Sequence, residues 1–138
     1  MLTALSRGNY RERNFVLTLI FIPYFSKMKL PNHENAVISI EKLRDYCLNF
    51  EHPRGKHKAL VFKSALDFEK KDSELLKSII FKAVKTNDAV ETFTDIYGIR
   101  YTVDIPYSMK DKQAIIRTLW IMKTNENFPR LTTCYIKE

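Results

Sequence analysis

Three glycines in 138 residues leave little from which to build a loop that cradles phosphate. Neither a Walker-type run nor a Gly-x-Gly-x-x-Gly fingerprint is present, which excludes the usual nucleotide-binding loops. The two cysteines, Cys47 and Cys134, lie far apart and have no Cys-x-x-Cys spacing, so the chain carries no disulfide framework. His33, His52 and His57, taken with either cysteine, lack the spacing of a zinc site. A reducing, cytoplasmic setting suits such a chain. There is no His-Glu-x-x-His pair for a zinc hydrolase and no nucleophile-elbow sequence for a serine hydrolase. No metal and no cofactor is therefore expected. No apolar run reaches the ~20 residues that span a bilayer, so stable membrane insertion is not expected either.

What is present divides at Met28. Residues 1–27 form a non-conforming extension, with Arg7, Arg11 and Arg13 ahead of an apolar run from Phe15 to Phe25 that superficially imitates a signal peptide. Ser26-Lys27-Met28 is a poor cleavage site. A packed helix or strand, a hydrophobic leader at a membrane surface, or upstream sequence translated ahead of a start at Met28 all remain open, the last being favoured. The net charge is +7, of which the extension accounts for +3, so residues 28–138 are only mildly basic. That balance permits a polyanionic ligand without demanding one, and the clustering of cations matters more than their sum.

Residues 28–138 read as one α+β domain, in which two to three N-terminal helices pack on one face of a three- to four-stranded antiparallel sheet. Ser39 is placed to cap a helix from Ile40 to about Leu48, with Ile40, Leu43 and Cys47 as its buried stripe and Asn49 as its stop. A second helix opens near Gly55 and carries Ala59, Leu60, Val61, Phe62 and Leu66 inward. A third runs from about Ser73 to Thr86, capped by Asp72, with Leu75, Leu76, Ile79, Ile80 and Val84 on its apolar face. From Val90 the period becomes alternating. Turns are expected at residues 95–98 and 106–112, and strands at 99–105, 114–122 and 130–136. Arg117 interrupts the most apolar strand. It must either pair with an acid such as Asp104 or line a wet cleft, because an unpaired buried charge costs several kcal/mol.

The chain is organised around Glu51-His52-Pro53-Arg54-Gly55-Lys56-His57-Lys58-Ala59, where two of the three histidines and three cations gather at a Pro-x-Gly bend. A turn needs Pro and Gly but has no need of two imidazoles. With His57 in the first turn of a helix, backbone N–H groups and side chains could hold a phosphate together. In the last strand, alternation puts Leu131, Thr133 and Tyr135 on one side and Thr132, Cys134 and Ile136 on the other, so a hydroxyl and a phenol project as a pair.

Residues 28–32, 40–46, 52–62, 101–104 and 129–135 together resemble an uncharacterised bacterial family known only as domain of unknown function 6883, over residues 28–138. The label supplies no activity. The family's genes often stand beside a small partner of another unassigned family, an arrangement similar to a toxin with its antitoxin, which implies a small cognate antitoxin-like protein as partner.

A second resemblance concerns architecture. Helices with a His-bearing turn, then an antiparallel sheet whose last strand carries Thr and Tyr, look like the Barnase/EndoU/colicin/RelE superfamily of metal-independent ribonuclease toxins. That resemblance implies RNA as substrate, His57 as base, Lys58 and Arg117 as phosphate clamp, and Thr133 and Tyr135 as the last-strand pair. His52, Arg54, Lys56 and Arg130 are the further substrate-binding candidates. The chemistry is consistent with these types: RNA cleavage needs a base for the 2′-hydroxyl, an acid for the leaving oxygen and cations for the charge on phosphorus. The alternative is a non-catalytic module that binds RNA or a protein through the basic turn from His52 to Lys58.

Overall fold

A computed structural model describes residues 28–138. The readings made of residues 1–27 lie outside the described residues.

Three helices precede a four-stranded antiparallel sheet and pack against it. Ser39 caps the first, α1 (Ile40–Lys42), its hydroxyl accepting from the Lys42 N–H at 3.3 Å. Rather than continuing as α-helix, the chain widens into a π-helical turn over Leu43–Cys47, closed by Leu48 N–H donating to the Leu43 carbonyl at 2.9 Å. Asn49 ends it: its amide donates to the Asp45 carbonyl and its side-chain oxygen accepts from the Glu51 N–H.

Helix α2 (Lys56–Leu66) starts after the Pro-x-Gly bend, as its sequence predicts, and stops at Asp67, which adopts φ 60. It buries Ala59, Phe62 and Leu66, while Leu60 stands exposed. The expected inward set was too wide, since residues 60 and 62 lie far apart around a helix. Helix α3 (Ser73–Ala83) buries Leu76 and Ile80 with Val84 just beyond; Leu75 is exposed for the same angular reason. Asp72 stands at its N-cap position, but its carboxylate turns back to accept from the Glu69 N–H.

The sheet is a meander in the order β1 (Ala89–Asp95), β2 (Gly98–Met109), β3 (Lys112–Lys123), β4 (Arg130–Ile136). Asp95 shapes the first hairpin, its carboxylate accepting from the N–H groups of Tyr97 and Gly98, and Gly98 takes φ 150 where a side chain would collide with Met122. The turn expected over 106–112 is shorter. Strand β2 continues through Pro106, paired with Ile115, and the reversal occurs at Lys110 and Asp111. A proline fits there because β1 ends opposite Val103, so that β2 has no β1 partner farther on.

Trp120, Phe62, Phe68, Leu43, Leu48 and Ile116 anchor the core between helices and sheet. Thr118 is buried with them at no cost in unmet hydrogen bonds, donating to the Val103 carbonyl at 2.7 Å and accepting from Trp120 Nε1 at 2.8 Å. One register shift matters for the site. Leu119 pairs with Thr133 but Trp120 with Leu131, which leaves Thr132 as the extra residue of a β-bulge. Leu131 is therefore buried with Cys134 and Ile136. The simple alternation that grouped Leu131 with Thr133 and Tyr135 fails at this bulge.

Candidate functional site

Where the π-turn, the bend before α2 and edge strand β4 meet, they enclose an open cleft of about 620 Å³. Its floor follows from the features just described. The bulge presents both Thr132 and Thr133 to it, although they are consecutive in a strand. The π-turn sends Leu43 and Cys47 into the core and leaves Tyr46 on the cleft wall. Gly55 is what lets the bend close on that wall: a Cβ there would stand 3.1 Å from the Tyr46 carbonyl carbon and closer still to its oxygen.

Lys58, half-buried on α2, is the centre of the cleft. Its ammonium is 3.4 Å from the Thr133 hydroxyl, 5.4 Å from the centre of the Tyr46 ring and 5.1 Å from that of Tyr135. Among the described residues it pairs with no carboxylate, whereas Lys29, Lys63, Arg44, Arg100, Arg117 and Arg130 all do. Arg54 and Lys42 also line the cleft, and among the described residues neither has an ion pair. The acids on its wall are engaged locally. Glu41 is held below the usual carboxylate range by its own backbone N–H and the Ser39 hydroxyl, and Asp45 by the Arg44 guanidinium at 2.8 Å.

The bend sorts its two histidines. The His52 ring lies edge-on to Tyr46 at 4.7 Å, and its Nδ1 accepts from the N–H groups of Arg54 and Gly55, both at 3.0 Å. That hydrogen-bond pattern assigns the ring proton to Nε2, making His52 a donor toward the cleft rather than a base. His57 is exposed on the first turn of α2 and is not among the cleft-lining residues, and Lys56 is exposed beside it.

Arg117 pairs with Asp104 and with it also lines a separate groove of about 310 Å³. Its guanidinium makes two 2.8 Å bonds to Asp104, whose other cation is Lys137 at 3.7 Å. The Arg117 pKa is raised, first by Asp104 and secondarily by Tyr135, its register neighbour on β4. Arg130 is likewise bidentate to Glu126 and stacks over Phe128 at 5.1 Å. Of the sequence candidates, His52, Arg54, Lys58 and Thr133 thus share the cleft, Tyr135 touches it through Lys58, Arg117 reaches it only by way of Tyr135, and His57 and Lys56 stand outside.

The family model that matches is Domain of unknown function (DUF6883), over residues 29–138. The chain belongs to that family. Comparison with curated proteins and with solved structures gives no match. Within this DUF6883 domain the residues that sequence reasoning missed are Lys42, Tyr46 and Thr132. Lys42 and Tyr46 carried a faint signal, being four apart on a helix and off the Leu43/Cys47 stripe. Thr132 carried none, because a bulge is invisible to an alternation count.

Beneath the cleft, Cys47 lies 3.8 Å from the Thr133 hydroxyl. The Cys134 thiol, with help from Thr133 and Lys58, pulls the Cys47 thiol below the ordinary thiol value, while Cys47 and burial push Cys134 up. Among the described residues no three His, Cys, Asp or Glu side chains converge on a metal position, and no helix is long and apolar enough to cross a membrane.

Proposed function

We propose that this domain grips the phosphate backbone of RNA in the Lys58 cleft. The observation that carries the reading is the solitary state of Lys58, a half-buried ammonium held by two aromatic faces and one hydroxyl with no carboxylate among the described residues to balance it. Cation–π contact is worth about 0.5–2 kcal/mol per ring and offsets part of the desolvation, but it leaves donor capacity unused. A phosphate oxygen would take up that capacity, with Arg54, the Thr133 hydroxyl and His52 Nε2–H as companion donors.

The test is fluorescence anisotropy with single-stranded RNA. Lys58→Met keeps the aliphatic stem between the rings and removes the charge. It should weaken binding about tenfold or more and reduce the slope of log affinity against log salt by about 0.7. An unchanged affinity and slope would end this reading.

Metal-independent, toxin-like ribonuclease action is the second reading, favoured by one arrangement: the Tyr135 phenol stands between Lys58 and Arg117. In that chemistry the 2′-oxygen attacks phosphorus, the P–O5′ bond breaks, and a 2′,3′-cyclic phosphate and a free 5′-hydroxyl result. His57, the base expected from sequence, stands outside the cleft, so in this reading the 2′ proton passes to solvent water, and Tyr135 returns one to O5′. A small antitoxin-like partner would act by covering the same cleft. Tyr135→Phe that binds RNA like the parent but no longer yields cyclic-phosphate ends would support this reading, and parent protein that leaves RNA intact would remove it.

A further inference from the structure

The cleft does not end at Thr132. A second groove of about 260 Å³ runs on from it between the start of β4 and the end of β3, and Ser39, Lys42 and Thr132 line both. The two grooves thus adjoin at these three residues, and the pair is termed the channel. Its far end carries Lys123 and Arg130 over an apolar floor that includes Ile121 and Leu131. That floor is braced where Val37 forms a parallel bridge to Arg130, with its N–H donating to the Pro129 carbonyl at 2.9 Å.

The cations along this channel, whose wall also carries Glu41 and Asp45, are of two kinds. Arg130 is already neutralised by Glu126 and holds its guanidinium over the Phe128 ring. Lys123, Lys42, Arg54 and Lys58 pair with no carboxylate among the described residues. Unpaired cations thus recur from one end to the other, and Tyr46 beside Lys58 puts an aromatic ring on the wall of the larger groove. A basic groove with an aromatic face on its wall is suited to a single strand, the phosphates following the cations and a base stacking on the ring. A duplex fits poorly, because its phosphates lie on a stiff convex surface while the Lys58 ammonium is recessed and half-buried.

We propose that the ligand is a single RNA strand laid along this channel, anchored by one phosphate at Lys58 and by a later phosphate at Lys123. The inference rests on the phosphate-gripping reading and extends it from one anchor to a path of several nucleotides.

The experiment uses the full chain and two labelled oligouridylates, a trinucleotide and a dodecanucleotide, with a blunt RNA duplex as competitor. The dodecanucleotide should bind more tightly than the trinucleotide. Lys123→Ala should weaken the dodecanucleotide roughly fivefold and lower its salt slope by about 0.7, and should weaken the trinucleotide distinctly less. The duplex should compete poorly. The channel is overturned if Lys123→Ala affects neither oligomer or both equally, or if the duplex competes as well as the single strand, while Lys58→Met still abolishes trinucleotide binding. If neither oligomer binds the parent protein, the phosphate-gripping reading fails and takes the channel with it.

Discussion

Replacing Gly55 by alanine adds one methyl group at the closest approach between the bend and the π-turn. The backbone there is right-handed, with φ −87 and ψ −11, so conformation alone does not forbid a side chain. Restricting the unfolded chain would even stabilise the variant by about 0.4–1 kcal/mol. The new Cβ, however, stands 3.1 Å from the Tyr46 carbonyl carbon and 3.2 Å from its Cδ1, and nearer still to the carbonyl oxygen. A backbone carbonyl cannot rotate away as a flexible side chain can, so the bend must move, at a cost of about 1–3 kcal/mol for overpacking. Movement also strains the two bonds to His52 Nδ1, each worth about 0.5–1.5 kcal/mol. The sum is a destabilisation of about 2 kcal/mol. Trp120, the one tryptophan and a buried one, reports unfolding by fluorescence, and the urea midpoint should fall by about 1 M. Because Tyr46 and His52 shift with the bend, RNA binding should weaken too. A variant as stable as the parent, or more so, would refute the claim that this contact shapes the cleft.

Other outcomes follow from the same geometry. Thr118→Val keeps the shape but orphans the buried Trp120 indole N–H, so stability should drop by about 1–3 kcal/mol in the same urea assay. Asp104 has its pKa lowered, chiefly by Arg117, so its contribution is present above the unfolded carboxylate value and is lost as pH falls through the folded one. Asp104→Asn should therefore cost about 1 kcal/mol at neutral pH and flatten the acid limb of a stability profile below about pH 4. His57→Ala should leave RNA affinity unchanged, whereas His52→Ala, which removes the acceptor holding the bend, should weaken it several-fold. The reverse pattern would place the site on the other side of α2.

Much of the fold was legible because the chain signals its elements locally. Ser39 marks a helix start, Asp95 to Gly98 mark a hairpin, and the last strand runs over 130–136 as its alternation indicates. The failures have a common cause, which is geometry set by distant partners. Pro106 reads as a break until one sees that β1 ends before reaching it. Leu131 reads as a neighbour of Thr133 until the bulge at Thr132 is placed. The site was half legible for the same reason. Composition pointed to the bend, and Thr133, Tyr135 and Lys58 do meet. Which histidine faces the cleft was decided by where the Arg54 and Gly55 N–H groups point, and no residue count encodes that.

The claim on which everything else depends is that Lys58 receives a phosphate. A crystal structure of the chain with a bound RNA trinucleotide tests it most directly. A phosphate oxygen should lie within about 3 Å of the Lys58 Nζ, with Thr133 still beside it. An oligonucleotide seated elsewhere, on the exposed His57 turn or along the Asp104–Arg117 row, with Lys58 untouched, would contradict it.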